Sequence, residues 1–398
     1  MPPLRLSPLR LGAAAFAVAA AAAASAPAQP LDGSVAVNAV DLYWSYAGYS
    51  AGGNASFARA SMAAACGAPR RLGALVRFAA LPYWPNQLNA SFLSNATLYW
   101  SVMDELVADA AAAGCLLMPS LFWNIFAFGD AFGEPTGVVF DERLGPSRAR
   151  DAMEAFASAF VARYPAGGAI VAFEVGNEYN LIYDLNATQQ QPGICVACGS
   201  PAARTSADNV STAAGAAVQV RLVATVRAAD RGAGRPVSSG HAMARPDATW
   251  LRDNYHNPAP PPLVIDTLEQ FLAITAQQPA GVDWLSQHIY AGSDNERWGE
   301  KDPFSPSVLG AARQAAAAAG QTLFIGEFGD SAPGNRTFTR NVLALLDTWR
   351  AGARGEEAGA PFFGLVWVWQ LLQQAETFSL WPGRDDAIID AIVQHNAA

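Results

Sequence analysis

The 398-residue chain predicts a single α/β domain, a (β/α)8 (TIM) barrel. Three observations carry this. Strand-like apolar runs and helix-like segments alternate eight times. Two of the apolar runs end in a glutamate, at the strand end where a parallel barrel builds its chemistry. The first run, residues 35–44, lacks the GxGxxG turn usual in a doubly wound open sheet, the competing fold.

Residues 35–42 read as the first strand, and a Gly- and Ser-rich stretch leads into a helix over 57–66. The second strand, 72–78, carries Arg77 near its end. A helix over 98–113 stops at Gly114. The third strand, 115–121, runs into the aromatic loop Phe122-Trp123-Asn124. A helix over 148–164 ends at Pro165. The fourth strand, 169–173, has a buried strand's length and no helical spacing, and opens onto Gly176-Asn177-Glu178. The insertion that follows, 179–206, is rich in Gln, Asn and Gly; loops of this length in compact domains are usually functional. Next come a helix within 207–229, a short strand 237–240 followed by His241, a stiff Pro-rich connector 258–262 and a helix over 265–276. The sixth strand, 282–290, ends Gln287-His288-Ile289-Tyr290. After a helix over 307–319, the seventh strand, 322–329, delivers Glu327. A helix over 338–351, an eighth strand 362–371 and a helix over 385–394 complete the pattern. No solenoid-type repeat interrupts it.

A chain that is 52% hydrophobic and 15% charged suits a large core and not a disordered polymer. The formal charge of −9 and the lack of any Lys/Arg run argue against a nucleic-acid partner. Residues 1–28 read as a secretory signal: Arg5 and Arg10 give the basic start, 11–24 is apolar and Ala-rich, and Ala26-Pro27-Ala28 offers a small-residue cleavage site. That apolar core is short for a membrane anchor. The domain then spans 30–398. Losing two arginines leaves 25 − 2 = 23 basic against 34 acidic residues, a charge of −11. Six Asn-x-Ser/Thr sites, at Asn54, Asn89, Asn95, Asn186, Asn209 and Asn335, suit a secreted glycoprotein with no stable membrane association. Cys195 and Cys198 form a CxxC without a second Cys pair or a His cluster, so a local disulfide staple is expected over zinc or redox chemistry. Cys66 and Cys115 read either as buried thiols or as a bridge at the bottom of the barrel. No Walker-type loop or HExxH occurs, and the four histidines are poorly spaced as ligands. Neither cofactor nor metal is expected.

Two carboxylates delivered to one rim are what double-displacement cleavage of a glycosidic bond requires. Asn177-Glu178 ends strand four, His288-x-Tyr290 ends strand six, Gly326-Glu327-Phe328-Gly329 ends strand seven, and Trp369 lies near the end of strand eight. In that order and on those strands they resemble the retaining glycosidases of clan A, and most closely glycoside hydrolase family 5, the cellulase and β-mannanase family. The resemblance covers nearly the whole mature chain. It implies an O-glycosyl hydrolase with Glu178 as acid/base and Glu327 as nucleophile. Arg77 resembles the family's strand-two arginine and, with the Tyr290 hydroxyl, would stabilise the Glu327 anion. Burial and the neighbouring Glu327 charge would raise the Glu178 pKa. Asn177 could bond the sugar 2-hydroxyl. His288 and Tyr290, two apart on a strand, point to one side.

Other residues are weighed beside these. Glu174 shares strand parity with Glu178 but lies a layer deeper, as a structural carboxylate would. Trp369 is the better sugar platform and Trp367 core. Trp84, Trp123 and Trp298 fall in rim loops, and His241 could meet substrate, whereas His256 and His395 read as surface residues. One departure is that the family's strand-three histidine is replaced by Leu121-Phe122-Trp123-Asn124. The ending Trp369-Gln370-Leu371 resembles that of several β-mannanases, so a β-1,4-mannan polysaccharide or oligosaccharide is the expected substrate, with β-1,4-glucan as runner-up. A non-catalytic carbohydrate-binding barrel is the alternative outside enzymes. The chain is expected to act as a secreted monomer.

Overall fold

The computed structural model describes residues 33–48, 55–66, 75–255, 264–290, 298, 306–330, 336–352, 362–367, 380 and 383–397. The leader 1–28, Asn54, Asn335, His256, the connector 258–262 and Trp369 lie outside the described residues, and of Trp367 only the backbone is described.

Eight parallel strands close into a barrel in sequence order. They are β1 (Val35–Asn38), β2 (Leu75–Ala79), β3 (Leu116–Ser120), β4 (Phe173–Glu174), β5 (Val237–Ser238), β6 (Trp284–Tyr290), β7 (Thr322–Gly329) and β8 (Phe362–Trp367). One principal helix follows each strand: α1 (Ala55–Cys66), α2 (Ala96–Ala112), α3 (Arg148–Arg163), α4 (Thr212–Ala229), α5 (Leu268–Thr275), α6 (Pro306–Ala318), α7 (Thr337–Gly352) and α8 (Asp386–Ala397). Among the described residues no helix is long and apolar enough to cross a membrane.

Two strands are shorter than their apolar runs. β1 stops at Asn38 because Leu42 N–H turns back to Ala39 O, opening a short helix, Leu42–Tyr46. β4 pairs regularly only at Phe173 and Glu174, although Ile170 still bridges Leu117 on β3. The helix starts follow local chemistry. Asn95, Ser147, Ser211 and Thr267 each cap a helix by accepting a backbone N–H with the side chain.

Alternate strand residues divide between two cores. Ala36, Leu75, Met118, Ala172, Trp284 and Phe324 meet inside the lower barrel. Their neighbours in sequence, such as Val35, Val76, Leu117, Phe173, Leu285 and Leu323, belong to the larger core that includes the helices. Above the apolar interior layer the inward positions become polar: Asn38, Arg77, Ser120, Glu174 and His288 are all buried.

Strand β7 breaks this alternation, and the break matters for the site. Phe324 faces the interior cluster, so Glu327, three residues on, should point outward. The register instead passes from Gln287↔Ile325 to His288↔Glu327, skipping Gly326. One extra residue in a strand reverses the facing of everything after it. Phe328 accordingly lies in the outer core although Phe324 lies in the inner one. Glu327 is thereby turned inward, beside His288. Gly326 is required there, because a Cβ would come within 2.6 Å of His288 Nε2.

The lower end of the barrel is tied by side chains. His395, read from sequence as a surface residue, is buried: its Nδ1 lies 2.7 Å from Asp347 Oδ1 and its Nε2 2.8 Å from Gly33 O. The amphipathic face of α8 carries it under the barrel, where it joins the C-terminal helix to the entry of β1. Cys66 and Cys115 form a disulfide linking the end of α1 to the start of β3 across 49 residues. Cys195 and Cys198 form the local staple. Removing a cross-link over a loop of that length costs roughly 2–5 kcal/mol. The double variant Cys66→Ala/Cys115→Ala should therefore melt several degrees lower in calorimetry, whereas Cys195→Ser/Cys198→Ser, closing three residues, should move the midpoint far less. Equal shifts would contradict this account.

Candidate active site at the carboxyl ends of the strands

Arg77 occupies the centre of the polar layer and is fully buried. Its Nε donates to Glu174 Oε1 at 2.9 Å and its Nη2 to the same oxygen at 2.5 Å. Nη1 donates to Glu327 Oε1 (2.7 Å) and Asn38 Oδ1 (3.0 Å), and Nη2 also reaches Asn177 Oδ1 (2.7 Å). The Trp123 ring lies 4.7 Å from the guanidinium carbon. Burial opposes the Arg77 charge, but Glu174 and Glu327 outweigh it and the pKa is raised. Asn38, which sequence reasoning passed over, donates its Nδ2 to Gly326 O at 2.9 Å and so braces the β7 bulge. The signal that could have found it is the one used for Glu178: a polar residue closing an apolar strand.

Glu327 is 3% exposed. Arg77 takes one of its oxygens, and Tyr290 donates its hydroxyl to the other at 2.5 Å. Burial first, and then the Glu327 charge, push the Tyr290 phenol well above its usual pKa, so it stays a donor. Glu178 is gripped less. Its side chain keeps 32% of its surface exposed, and among the described residues its one side-chain hydrogen bond joins Oε1 to His288 Nδ1 at 3.2 Å. Burial raises its pKa, with Arg77 and then Arg245 pulling the other way. The expected push from Glu327 is thus not among the leading causes; desolvation does the work.

His288 lies between the carboxylates, its Nδ1 3.5 Å from Glu327 Oε1. Burial lowers its pKa to about 4, the nearby Glu327 charge offsetting part of this. The ring is therefore neutral at pH 7. We place its proton on Nδ1, which faces two acceptors, since Nε2 is buried with no partner among the described residues. One side-chain nitrogen or oxygen from each of Glu178, His288 and Glu327 lies within 4.8 Å of the others. Among the described residues, these three could hold a metal ion. The Arg77 charge already bound to Glu327 makes the trio better suited to handling a proton than a divalent cation.

The remaining expectations divide. Asn177 joins the cluster through Arg77, from which its Oδ1 accepts. Glu174 is the fully buried structural carboxylate of the Arg77 network. Trp123 covers Arg77 and stacks beside Tyr83 (5.6 Å), which follows Trp44 (4.4 Å) in an aromatic row. Trp298 packs on Phe271 and the core instead of opening onto the rim. His241 does not join the two glutamates: it is buried, its Nε2 2.7 Å from Gln219 Oε1 on α4. Burial drops its pKa to about 3. It lines a small pocket of about 40 Å³ with Gln287, Thr275 and Arg245, and neither Glu178 nor Glu327 lines that pocket.

The insertion forms a strap over the rim beyond β2 and β3. Buried Arg204 pairs with Asp130 at 2.5 and 2.9 Å and covers the Phe126 ring at 4.1 Å. Asn86, after β2, donates to Ala197 O inside the CxxC at 3.3 Å.

No protein-family signature matches the chain, and no curated protein matches it in sequence. Solved structures do match in fold. The endo-1,4-β-mannanase from Rhizomucor miehei is 13% identical with a TM-score of 0.56, over 91% of this chain and 93% of that one. The hyperthermostable endo-1,4-β-D-mannanase from Thermotoga petrophila RKU-1 is 12% identical with a TM-score of 0.55, over 90% and 98%. A glycoside hydrolase family 5 mannosidase from Rhizomucor miehei is 11% identical with a TM-score of 0.53, over 91% and 92%. The likeness is one of fold: the barrel resembles those of these glycoside hydrolases.

Two outcomes follow from the site's electrostatics. Arg77→Met would leave Glu174 and Glu327 buried without their cation, at a cost of about 3–5 kcal/mol; a urea midpoint that stays put would remove Arg77 from this role. His241 and His288 fold with pKa values below their unfolded 6.5. As pH falls, the unfolded chain takes up these protons first. Their contribution is whole above pH 6.5 and is lost as pH drops towards 4 for His288 and 3 for His241. Melting midpoints should fall over that window, and His241→Asn should flatten the slope; an unchanged slope would exclude His241 as a source.

Proposed function

We propose that the chain is a secreted, retaining β-glycoside hydrolase of the family 5 kind that cleaves β-1,4-linked mannan, with Glu178 as acid/base and Glu327 as nucleophile. The observation that carries this is the closeness of the two carboxylates, with oxygens within 4.8 Å of each other. Retaining pairs stand about 5–5.5 Å apart, too close for the intervening water that inversion needs. The mannan assignment draws support from the fold neighbours, several of which are described as mannanases or mannosidases. Two disulfides support an oxidising compartment and hence secretion.

The chemistry runs in two displacements. Glu327 attacks the anomeric carbon while Glu178 gives its proton to the departing glycosidic oxygen. The products are a glycosyl ester on Glu327 and a free alcohol. Glu178, now a carboxylate, takes a proton from water as that water attacks the same carbon. The ester bond breaks, Glu327 leaves as its anion, and two inversions give retention. Arg77 and Tyr290 hold the Glu327 charge at both ends of the cycle. Neutral His288 offers its Nδ1–H to whichever carboxylate is ionised. The Asn177 amide is placed to meet the sugar beside Glu327.

A reducing-sugar assay on mannan, glucomannan, carboxymethylcellulose and xylan tests the substrate, and release from carboxymethylcellulose alone would overturn the mannan reading. The roles separate by stereochemistry. Glu327→Ala with azide should give an inverted α-azide, whereas Glu178→Ala on a dinitrophenyl glycoside with azide should give the β-azide. The reverse pairing would exchange the assignments. Because the acid's pKa is raised, kcat/KM should persist above the ordinary carboxylate range and then fall as pH climbs through that raised value.

A further inference from the structure

Glu327 and Glu178 are placed by different means. The first is fixed by side-chain partners on both oxygens. The second has, among the described residues, one long side-chain bond, so its carboxyl goes where its backbone sends it. That backbone is unusual: Glu178 sits in the left-handed region, φ 53° and ψ 26°. A residue other than glycine held there costs roughly 1–3 kcal/mol and persists only when its surroundings over-determine it.

The loop after β5 supplies that determination. Glu178 N–H donates to Gly240 O at 2.7 Å. The loops meet backbone to backbone, for a Cβ on Gly240 would fall 1.9 Å from Gly176 O. Two residues on, the Asn180 side chain acts as one rung of a sheet. Its Nδ2 donates to Ala242 O at 2.8 Å and its Oδ1 accepts Ala242 N–H at 2.9 Å. Arg245 then sends Nε and Nη2 to Leu181 O at 2.9 and 2.6 Å. β4 and β5 are only two residues long, and these side chains continue their pairing past the point where the ladder stops.

We infer that Asn180 and Arg245 are positioning residues for proton transfer. They clamp the β4 loop to the β5 loop and so aim the Glu178 carboxyl at the leaving oxygen, without touching substrate themselves. The inference rests on Glu178 being the acid/base. A displacement of about 1 Å at a reacting group can cost a hundredfold in rate. Because only the acid is displaced, the loss depends on how much protonation the leaving group needs.

The test compares kcat/KM for two aryl β-mannobiosides, phenyl and 2,4-dinitrophenyl, in the wild type and in Asn180→Ala, Arg245→Met and Glu178→Ala. This ratio reports steps up to glycosyl-enzyme formation, so the later base step does not enter. Asn180→Ala should lose about ten- to a hundredfold on the phenyl substrate and less than about threefold on the dinitrophenyl one. Arg245→Met should steepen the same dependence. Equal losses on both substrates, or none on the phenyl one, would overturn the clamp. Should Asn180→Ala fail to fold, Asn180→Asp, which keeps the acceptor for Ala242 N–H and loses the donor, takes its place with the same two outcomes. Glu178→Ala is the control on the underlying reading: if it too cleaves the phenyl substrate at the wild-type rate, the acid/base assignment fails. If Glu178→Ala shows the steep dependence and the Asn180 variant does not, the clamp alone fails.

Discussion

One guanidinium organises the upper barrel. Arg77 is buried where an isolated charge would cost several kcal/mol, and it is tolerable only because carboxylates meet it on two sides. The bonds run from β2 to β1, β4 and β7, so four strands place their polar ends against one rigid plane. An ammonium group on a flexible stem could not offer five donors in a fixed fork. Glu174 holds the fork from below and leaves Glu327 the outer Nη1. The same fork fixes Asn177 beside the cleft and Asn38 beneath the β7 bulge, so the orientation of the proposed nucleophile and that of its neighbours come from a single group.

The two glutamates reach the rim by opposite devices. Glu327 needs an added residue in its strand, because the regular alternation of β7 would turn it into the helical layer. Gly326 supplies that residue, and its lack of a side chain lets His288 close over it. Glu178 lies beyond its strand, past the last regular pairing of β4, where backbone geometry is no longer set by a ladder. A left-handed residue and a neighbouring loop replace it. A charge to be held constant is thus surrounded by donors. The Glu178 carboxyl, proposed to give and take the proton, is left with little holding it but its own backbone.

Much of this could be read from the sequence. Apolar runs of strand length alternating with helical segments gave all eight units, because both faces of a buried parallel strand must be apolar. Glu178, Glu327, Arg77 and Tyr290 were legible as polar residues at the ends of such runs. What was not legible depends on register and on three-dimensional return. The bulge at Gly326 leaves no mark in composition. Asn38 looked like the interior of a longer first strand, and only the turn at Leu42 shows that it closes one. His395 sits on a helix whose buried face is decided by contact with Gly33, more than three hundred residues away. His241 follows a strand as a rim residue would, yet Gln219 of α4 draws it behind the wall. The pairing of Cys66 with Cys115 required knowing that the end of α1 and the start of β3 share the bottom of the barrel.

The left-handed backbone of Glu178 has a bearing on how such a protein would decay. Its conformation is strained, so this position works against folding whatever it contributes to the proposed reaction. Glycine or asparagine accepts that backbone more readily. If the proposed cleavage were no longer selected, stability would therefore be gained by giving up Glu178 first. Arg77 and Glu327 would resist change for longer, since removing Arg77 leaves Glu174 and Glu327 buried without their cation, and removing Glu327 takes away one of the two carboxylates that balance Arg77. Retired copies of this barrel would be recognisable by an intact Arg77–Glu327 pair facing a small or neutral residue at position 178.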